Sequence, residues 1–226
     1  RAGGILVGTH AFLAYGNMLG VQWGDSSRTQ DIDFAHAGKN LALALPSNLE
    51  VATHSAIESL QMGLLPISGL KGKAGATYLA PRDPNFRLDF LTTLHRGSEE
   101  KYEHPQLHVM LQPLKFMEFS LMQIQQAVIF NTESAVVVNV PHPARYALHK
   151  LIVYGQREGA FAAKANKNLT QAASLLGYFK ENRTWEIQAA YEDLMSRGKG
   201  WVSRFERGRK AIEKSYPEME VSTWLS

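Results

Sequence analysis

The chain has 226 residues, 45% of them hydrophobic and 20% charged, which allows a sizeable core in one or two domains and argues against disorder. No apolar run approaches the ~18–20 residues that span a bilayer, and no secretory leader pattern opens the chain, so neither a membrane protein nor an exported one is expected. Cysteine is absent, which removes disulfides, thiolate metal sites and thiol nucleophiles and suits the cytoplasm; the net charge of +3 is too small to name a nucleic-acid binder.

The chain opens on Arg1 rather than Met, the look of a trimmed piece, and Ile5-Leu6-Val7 follows as a short buried strand ending at Gly8. Thr9 is the expected N-cap of a helix running from His10 toward Leu19, weakened in its second half by Gly16 and Gly20. Gly24 to Ser27 reads as loop. Asp31-Ile32-Asp33-Phe34-Ala35 alternates polar and apolar, the period of a half-buried strand. A second helix is expected over about residues 47–61, opened by Pro46-Ser47-Asn48 and stopped near Gly63, and a glycine-rich loop over 69–75. Thr77–Leu79 and Phe86–Leu91 read as paired strands joined through the turn residues Pro81 to Asn85. Two further strands, Ala127–Phe130 and Ala135–Val138, flank residues 131–134. From Pro141 the spacing turns helical and stays so, as in Ala147, Leu148, Leu151, Ile152 and in Leu169, Ala172, Leu175, Leu176. The expected fold class is α+β: a mixed sheet with flanking helices over residues 1–140, then a helical C-terminal domain over 141–226.

Charge divides along the same line. Residues 1–140 carry 10 Lys+Arg against 12 Asp+Glu, whereas residues 141–214 carry 14 against 7. An acidic front and a basic rear suit carboxylates that hold metal beside a wall that attracts phosphate; a solvated helical face with surplus lysines accounts for the counts equally well.

Asp31 and Asp33 are two apart on a strand and so share one face, where their charges repel unless a cation lies between them. Mg²⁺ (or Mn²⁺) fits, because it takes hard oxygen ligands from one or two carboxylates plus substrate phosphates. Asp89 lies in a second run of the same kind, with Arg87 on its own face. Three converging carboxylates suffice for two metals roughly 4 Å apart. Upstream, Gly8 permits close approach of a phosphate to the backbone, and the helix start after it favours an anion, with the Thr9 hydroxyl as a further donor.

Leu6-Val7-Gly8-Thr9, a helix, then Asp31-Ile32-Asp33-Phe34, and later Arg87-Leu88-Asp89-Phe90, together resemble the signature of the polymerase β-type nucleotidyltransferase superfamily. In its compact members about a dozen residues part the glycine motif from the first Asp; here 21 lie between Thr9 and Asp31, closer to uncharacterised bacterial nucleotidyltransferase-fold proteins and, more distantly, AbiE-type toxins. The resemblance implies a helix lysine after the catalytic domain that meets the triphosphate, matched by Lys150, with Arg157 assisting. The Lys-Asp that often follows stands here as Lys167-Asn168.

The remaining candidates carry less. Lys71-Gly72-Lys73 lacks the layout of a phosphate-binding P-loop, and His10 is more often structural than a phosphate donor at such a place. His104 and His108 have the spacing of helical metal ligands, but Pro105 interrupts it and no third ligand is evident, so zinc is not expected. Arg28 is placed to reach a nucleotide phosphate or a nearby Asp. Trp185, Trp201, Trp224, Tyr178 and Tyr191 read as packing anchors of the rear helices.

The expected function is Mg²⁺-dependent transfer of a nucleoside monophosphate from an NTP to an acceptor hydroxyl of a protein, a tRNA or a small molecule, with pyrophosphate released. The catalytic and metal residues are Asp31, Asp33 and Asp89; the nucleotide residues are Gly8, Thr9, Lys150, Arg28 and Arg157. The alternative is a silent binding module on the same fold, antitoxin-like or regulatory, since fold does not guarantee turnover.

Overall fold

The computed structural model describes residues 4–23, 31–36, 53–67, 76–94, 100–105, 108–156 and 162–226. Its fold is α+β, a mixed sheet with helices beside it and a helical C-terminal region. The described residues form two compact units, one drawn from Arg1–Val21, Arg28–Glu118 and Ile124–Val140, the other mainly from Phe119–Gln123 and Pro141–Ser226.

The first unit is built on a sheet in which nine strands are described: β1 (Ile5–Val7), β2 (Asp31–His36), β3 (Leu65–Pro66), β4 (Thr77–Ala80), β5 (Asp83–Thr93), β6 (Tyr102–His104), β7 (Val109–Leu114), β8 (Ile124–Phe130) and β9 (Ala135–Pro141). The main path runs β3-β4-β5-β2-β1-β9-β8. The long β5 has two partners on one side: β4 runs antiparallel along its first part and β7 parallel to Leu91–Thr93. All three residues of β1 are buried, as befits an apolar run between β2 and β9. Helix α1 (Gly8–Leu19) leaves β1 directly and buries Ala11, Phe12, Ala14 and Tyr15. It ends on Gly20 in the left-handed conformation, a routine glycine stop. Gly16 is absorbed inside the helix. Helix α2 (Thr53–Ser59) is the described part of the expected second helix; residues 47–52 lie outside the described set. Ile57 of α2 packs with Leu64, Tyr78, Leu88, Val109 and Leu111.

Three readings of the sequence change here. Thr9 is inside the first turn of α1, and Val7 holds the N-cap position without a side-chain cap bond. The β4–β5 turn is tighter than expected, because Asp83, Pro84 and Asn85 already belong to β5. Strands β6 and β7 and the short helix α3 (Met117–Leu121) had no counterpart in the pattern.

The second unit centres on α4 (Pro143–Gln156), packed by α5 (Ala162–Asn182), α6 (Thr184–Ser196) and α7 (Lys199–Ser215); a 3-10 turn at Pro217–Met219 and α8 (Val221–Trp224) close it. Gly155 and Gly208 set the approach of α4 and α7. A β-carbon at Gly155 would run into the Arg204 carbonyl, and one at Gly208 into the Leu151 carbonyl. The segment Phe119–Gln123 is held by charge and aromatic contacts. The guanidinium carbons of Arg145 and Arg197 lie 5.0 and 5.1 Å from the centroid of the Phe119 ring, and both arginines bind Asp193 Oδ2, at 2.6 and 3.1 Å. Burial alone would raise the Asp193 pKa; hydrogen bonds and charge from the two arginines outweigh it and hold the carboxyl below its ordinary value. No described helix is long and apolar enough to cross a membrane.

Candidate functional site

Four neighbouring strands of the first unit bring Val7, Asp33, Asp89 and Thr77 to one level of the sheet. β1 meets β2 at Val7–Asp33, β2 meets β5 at Asp33–Asp89, and β5 meets β4 at Asp89–Thr77. Adjacent strands lie about 5 Å apart, so Asp33 and Asp89 are neighbouring rungs of one ladder. Asp31, two positions back on the same face by strand period, pairs with Arg87. The side chains of Asp31 and Asp33 are outside the described set. Among the described side chains no group of three or more His, Asp or Glu gathers to hold an ion. The candidate centre therefore rests on backbone register and on Asp89.

Asp89 is buried, and two neighbours fix its carboxylate. The Thr77 hydroxyl donates to Oδ1 at 2.7 Å, and Arg87 Nε lies 3.0 Å from Oδ2. Arg87 shares the face of Asp89 because the two are two residues apart on β5. Thr77 had no assigned role in the sequence; only the hairpin register exposes it, as the cross-strand partner of Asp89. The donor set is oxygen only, on adjacent rungs, and that chemistry fits a hard divalent cation such as Mg²⁺ or Mn²⁺ rather than a soft one.

Gly8 follows Val7, so α1 starts one residue past the rung of Asp33. Its φ of 65° is left-handed, where an L side chain is strained, and it turns the chain from strand into helix. Thr9 is buried in the first turn and His10 is half-buried beside it. Backbone N–H groups at such a helix start favour an anion, and here that end is adjacent to the carboxylate ladder.

Lys150 belongs to the second unit. Its ammonium lies 4.8 Å from the Tyr146 ring centroid and donates to Asn168 Oδ1 at 3.2 Å, while the Tyr146 hydroxyl donates to Gln171 Oε1 at 2.9 Å. Asn168 and Gln171 on α5 thus brace Lys150 and Tyr146 on α4. Burial, then the Lys150 charge, drives the neighbouring His149 down to about 3, so that ring is neutral. His142 is lowered to about 4 by burial, then by Arg145 and Arg183. Its Nδ1 accepts from the Ala144 amide, so Nε2 carries the proton that faces Glu186 Oε2 at 3.4 Å. That contact is a neutral donor to a carboxylate, not an ion pair.

Arg28, Arg157 and Lys71-Gly72-Lys73 lie outside the described residues. His104 and His108 are not on a helix: they bracket the β6–β7 turn, where the His108 amide donates to the His104 carbonyl and His108 has φ 46°. Of the rear aromatics, Trp201 lies against Phe119 and Arg197, Tyr178 against Phe179 and Tyr191 against Phe205, and the Trp224 ring nitrogen donates to the Met219 carbonyl. Trp185 departs from that expectation and is exposed.

A family model described as Nucleotidyltransferase matches residues 1–196. A crystal structure of an antigenic nucleotidyltransferase-like protein from Paracoccidioides brasiliensis is similar at a TM-score of 0.43 and 12% identity, over 98% of this chain and 83% of that one. No curated protein sequence matches.

Proposed function

The chain belongs to the nucleotidyltransferase family, and on that premise we propose that it moves a nucleoside monophosphate from an NTP, ATP among the candidates, to an acceptor hydroxyl. The observation that supports this reading is the Asp33–Asp89 rung with the Gly8 helix start one residue beyond it. Asp31, Asp33 and Asp89 are the residues that would hold Mg²⁺ or Mn²⁺. When bound, that ion neutralises triphosphate charge and acidifies the acceptor hydroxyl. Gly8 and Thr9 bind the β- and γ-phosphates at the helix start, with Lys150, Arg28 and Arg157 as further cations. The acceptor oxygen attacks the α-phosphorus, the bond to the β-phosphate breaks, and pyrophosphate leaves with that electron pair. Asp89, oriented by Thr77 and Arg87, takes the hydroxyl proton. A protein side chain, a tRNA end and a small molecule are the acceptor classes. Within the family the 21-residue gap before Asp31 supports placement near the bacterial nucleotidyltransferase-fold proteins and, more distantly, AbiE-type toxins.

The test is Asp33→Asn. The variant should keep its fold and lose pyrophosphate release from NTP and cell extract, by at least about 100-fold if electrostatic stabilisation of the leaving phosphates is removed. An active Asp33→Asn protein overturns the assignment. A second reading, a binding module without turnover, is favoured by one contact: Arg87 already occupies Asp89 Oδ2. NTP binding by the wild type without pyrophosphate release in any extract would select it.

A further inference from the structure

Met122 follows α3, in the segment Phe119–Gln123 that belongs to the helical unit. Of the seven methionines in the chain, two are exposed: Met62 at 51% and Met122 at 48%. The sulfur of Met122 meets two guanidinium groups. Arg197 Nη2 donates to Sδ, and Arg145 Nη1 lies 4.0 Å from it. A thioether is a weak acceptor, whereas a guanidinium is a charged donor that pairs best with a strong one.

The stronger acceptors around these donors are few. Arg145 Nη1 and Arg197 Nη2 both donate to Asp193 Oδ2, at 2.6 and 3.1 Å, and Arg197 Nη2 also reaches Oδ1 at 3.4 Å. The Phe119 carbonyl adds a long contact to Arg145 Nη1 at 3.5 Å, and the Nε of each arginine is buried without an acceptor. Among the described residues two cations thus share one carboxylate, with the Met122 sulfur as the weak member of the set. An oxygen on that sulfur would supply the strong acceptor the two arginines lack.

We propose that Met122 is a reversible oxidation site whose sulfoxide oxygen is received by Arg145 and Arg197. The oxidant is hydrogen peroxide. The sulfur lone pair attacks one peroxide oxygen, so that an S–O bond forms and the O–O bond breaks. The other oxygen leaves with the bonding pair as hydroxide and takes the proton of the transferred oxygen, giving water. Sulfur is oxidised by two electrons and the peroxide reduced by two. Two thiols reverse the step, giving thioether, disulfide and water. A sulfoxide inside an apolar core disrupts packing; here the sulfur is half exposed and cations wait beside it. Oxidation therefore tightens the hold of Arg145 on α4 and Arg197, the C-cap of α6, on the segment that carries Phe119. The site is independent of the proposed transfer reaction.

The experiment treats the full chain with hydrogen peroxide, maps the added oxygen by peptide mass spectrometry, and compares melting temperatures with Met122→Leu. Met122 and Met62 should each gain one oxygen before the remaining methionines. Relative to the reduced proteins, oxidation should raise the melting temperature of wild type over that of Met122→Leu by about 2–5 °C, as a charge-assisted hydrogen bond does in a chain of this size. Met122→Gln, whose amide oxygen stands in for the sulfoxide, should melt above Met122→Leu by a similar amount without peroxide. In Arg197→Gln the shift on oxidation should fall by about half or more, whatever the starting stability. Methionine sulfoxide reductases of both stereospecificities should restore the mass and the melting temperature. Oxidation of Met62 with Met122 untouched overturns the site. So does an oxidation shift no higher in wild type than in Met122→Leu, or one that the reductases fail to reverse.

Discussion

Arg87 Nε lies 3.0 Å from Asp89 Oδ2, on a strand whose register sets Asp33 beside Asp89. A guanidinium in that place competes with any cation for the same oxygen. Arg87→Gln should therefore tighten binding of Mn²⁺, used as a probe, by about 3- to 10-fold, since a partly exposed ion pair contributes ~1 kcal/mol. Calorimetric titration decides it; equal or weaker Mn²⁺ affinity would show that Arg87 supports the site rather than blocking it.

Thr77→Val removes the donor to Asp89 Oδ1 with almost no change of shape. A hydrogen bond to a charged acceptor contributes about 1.5–3 kcal/mol. Urea denaturation should register a loss of that order, and the proposed transfer activity should fall further than stability accounts for at temperatures where the variant is fully folded. A variant as stable as wild type would mean that Arg87 alone fixes the carboxylate.

Gly155→Ala and Gly208→Ala each press a methyl group into a backbone carbonyl of the facing helix. Neither carbonyl can rotate away as a side chain does, so α4 and α7 must separate, at a cost of about 3 kcal/mol or more. Thermal melts should show both variants strongly destabilised. Gly177→Ala serves as the control, because a β-carbon there meets nothing within 4 Å.

Acid should weaken the second unit in two stages. His142 and His149 have folded values of about 4 and about 3, below the ordinary 6.5, chiefly through burial. The unfolded chain takes up protons below pH 6.5 that the folded chain refuses. Their stabilisation is therefore complete above about pH 6.5 and declines as pH falls toward 4 and 3. Asp193, also held low, adds its own loss below the ordinary carboxylate range of about 4. Melting temperatures from pH 8 to 3 should fall on that schedule, and His149→Gln should flatten the first stage whatever its starting stability. A profile as steep as wild type would remove His149 as a cause.

Strong periods and short motifs were legible in the chain. Ile5–Val7, the Asp31–Ala35 alternation and the helical spacing after Pro141 reappear as β1, β2 and α4 to α7, because an apolar run, a two-residue period and a helical period each specify one kind of element. What was not legible depended on tertiary partners. Strand β7 buries Val109 and Leu111 in alternation, yet Pro113 lies within it, a residue that ordinarily argues against a strand. His104 and His108 carry a helical spacing that a left-handed turn at His108 makes irrelevant. Thr9 looked like a cap, but the helix starts two residues earlier, at Gly8 with φ 65°. Thr77 gained its meaning only from lying across from Asp89, which no local window contains.

Ile5 of β1 has Asn139 as its neighbour on the side away from β2, and Asn139 Nδ2 also donates to the Gly4 carbonyl at 3.3 Å. A strand of three residues thus waits for a partner made more than 130 residues later. Until residues 135–141 emerge, the sheet has an open apolar edge at its middle, the condition in which nascent chains pair wrongly. Closure over so long a loop is slow compared with the local helices that follow it. On the ribosome the order of assembly is accordingly set by β9: a chain stopped at residue 134 should be aggregation-prone and need a chaperone, and one carried past residue 141 should not.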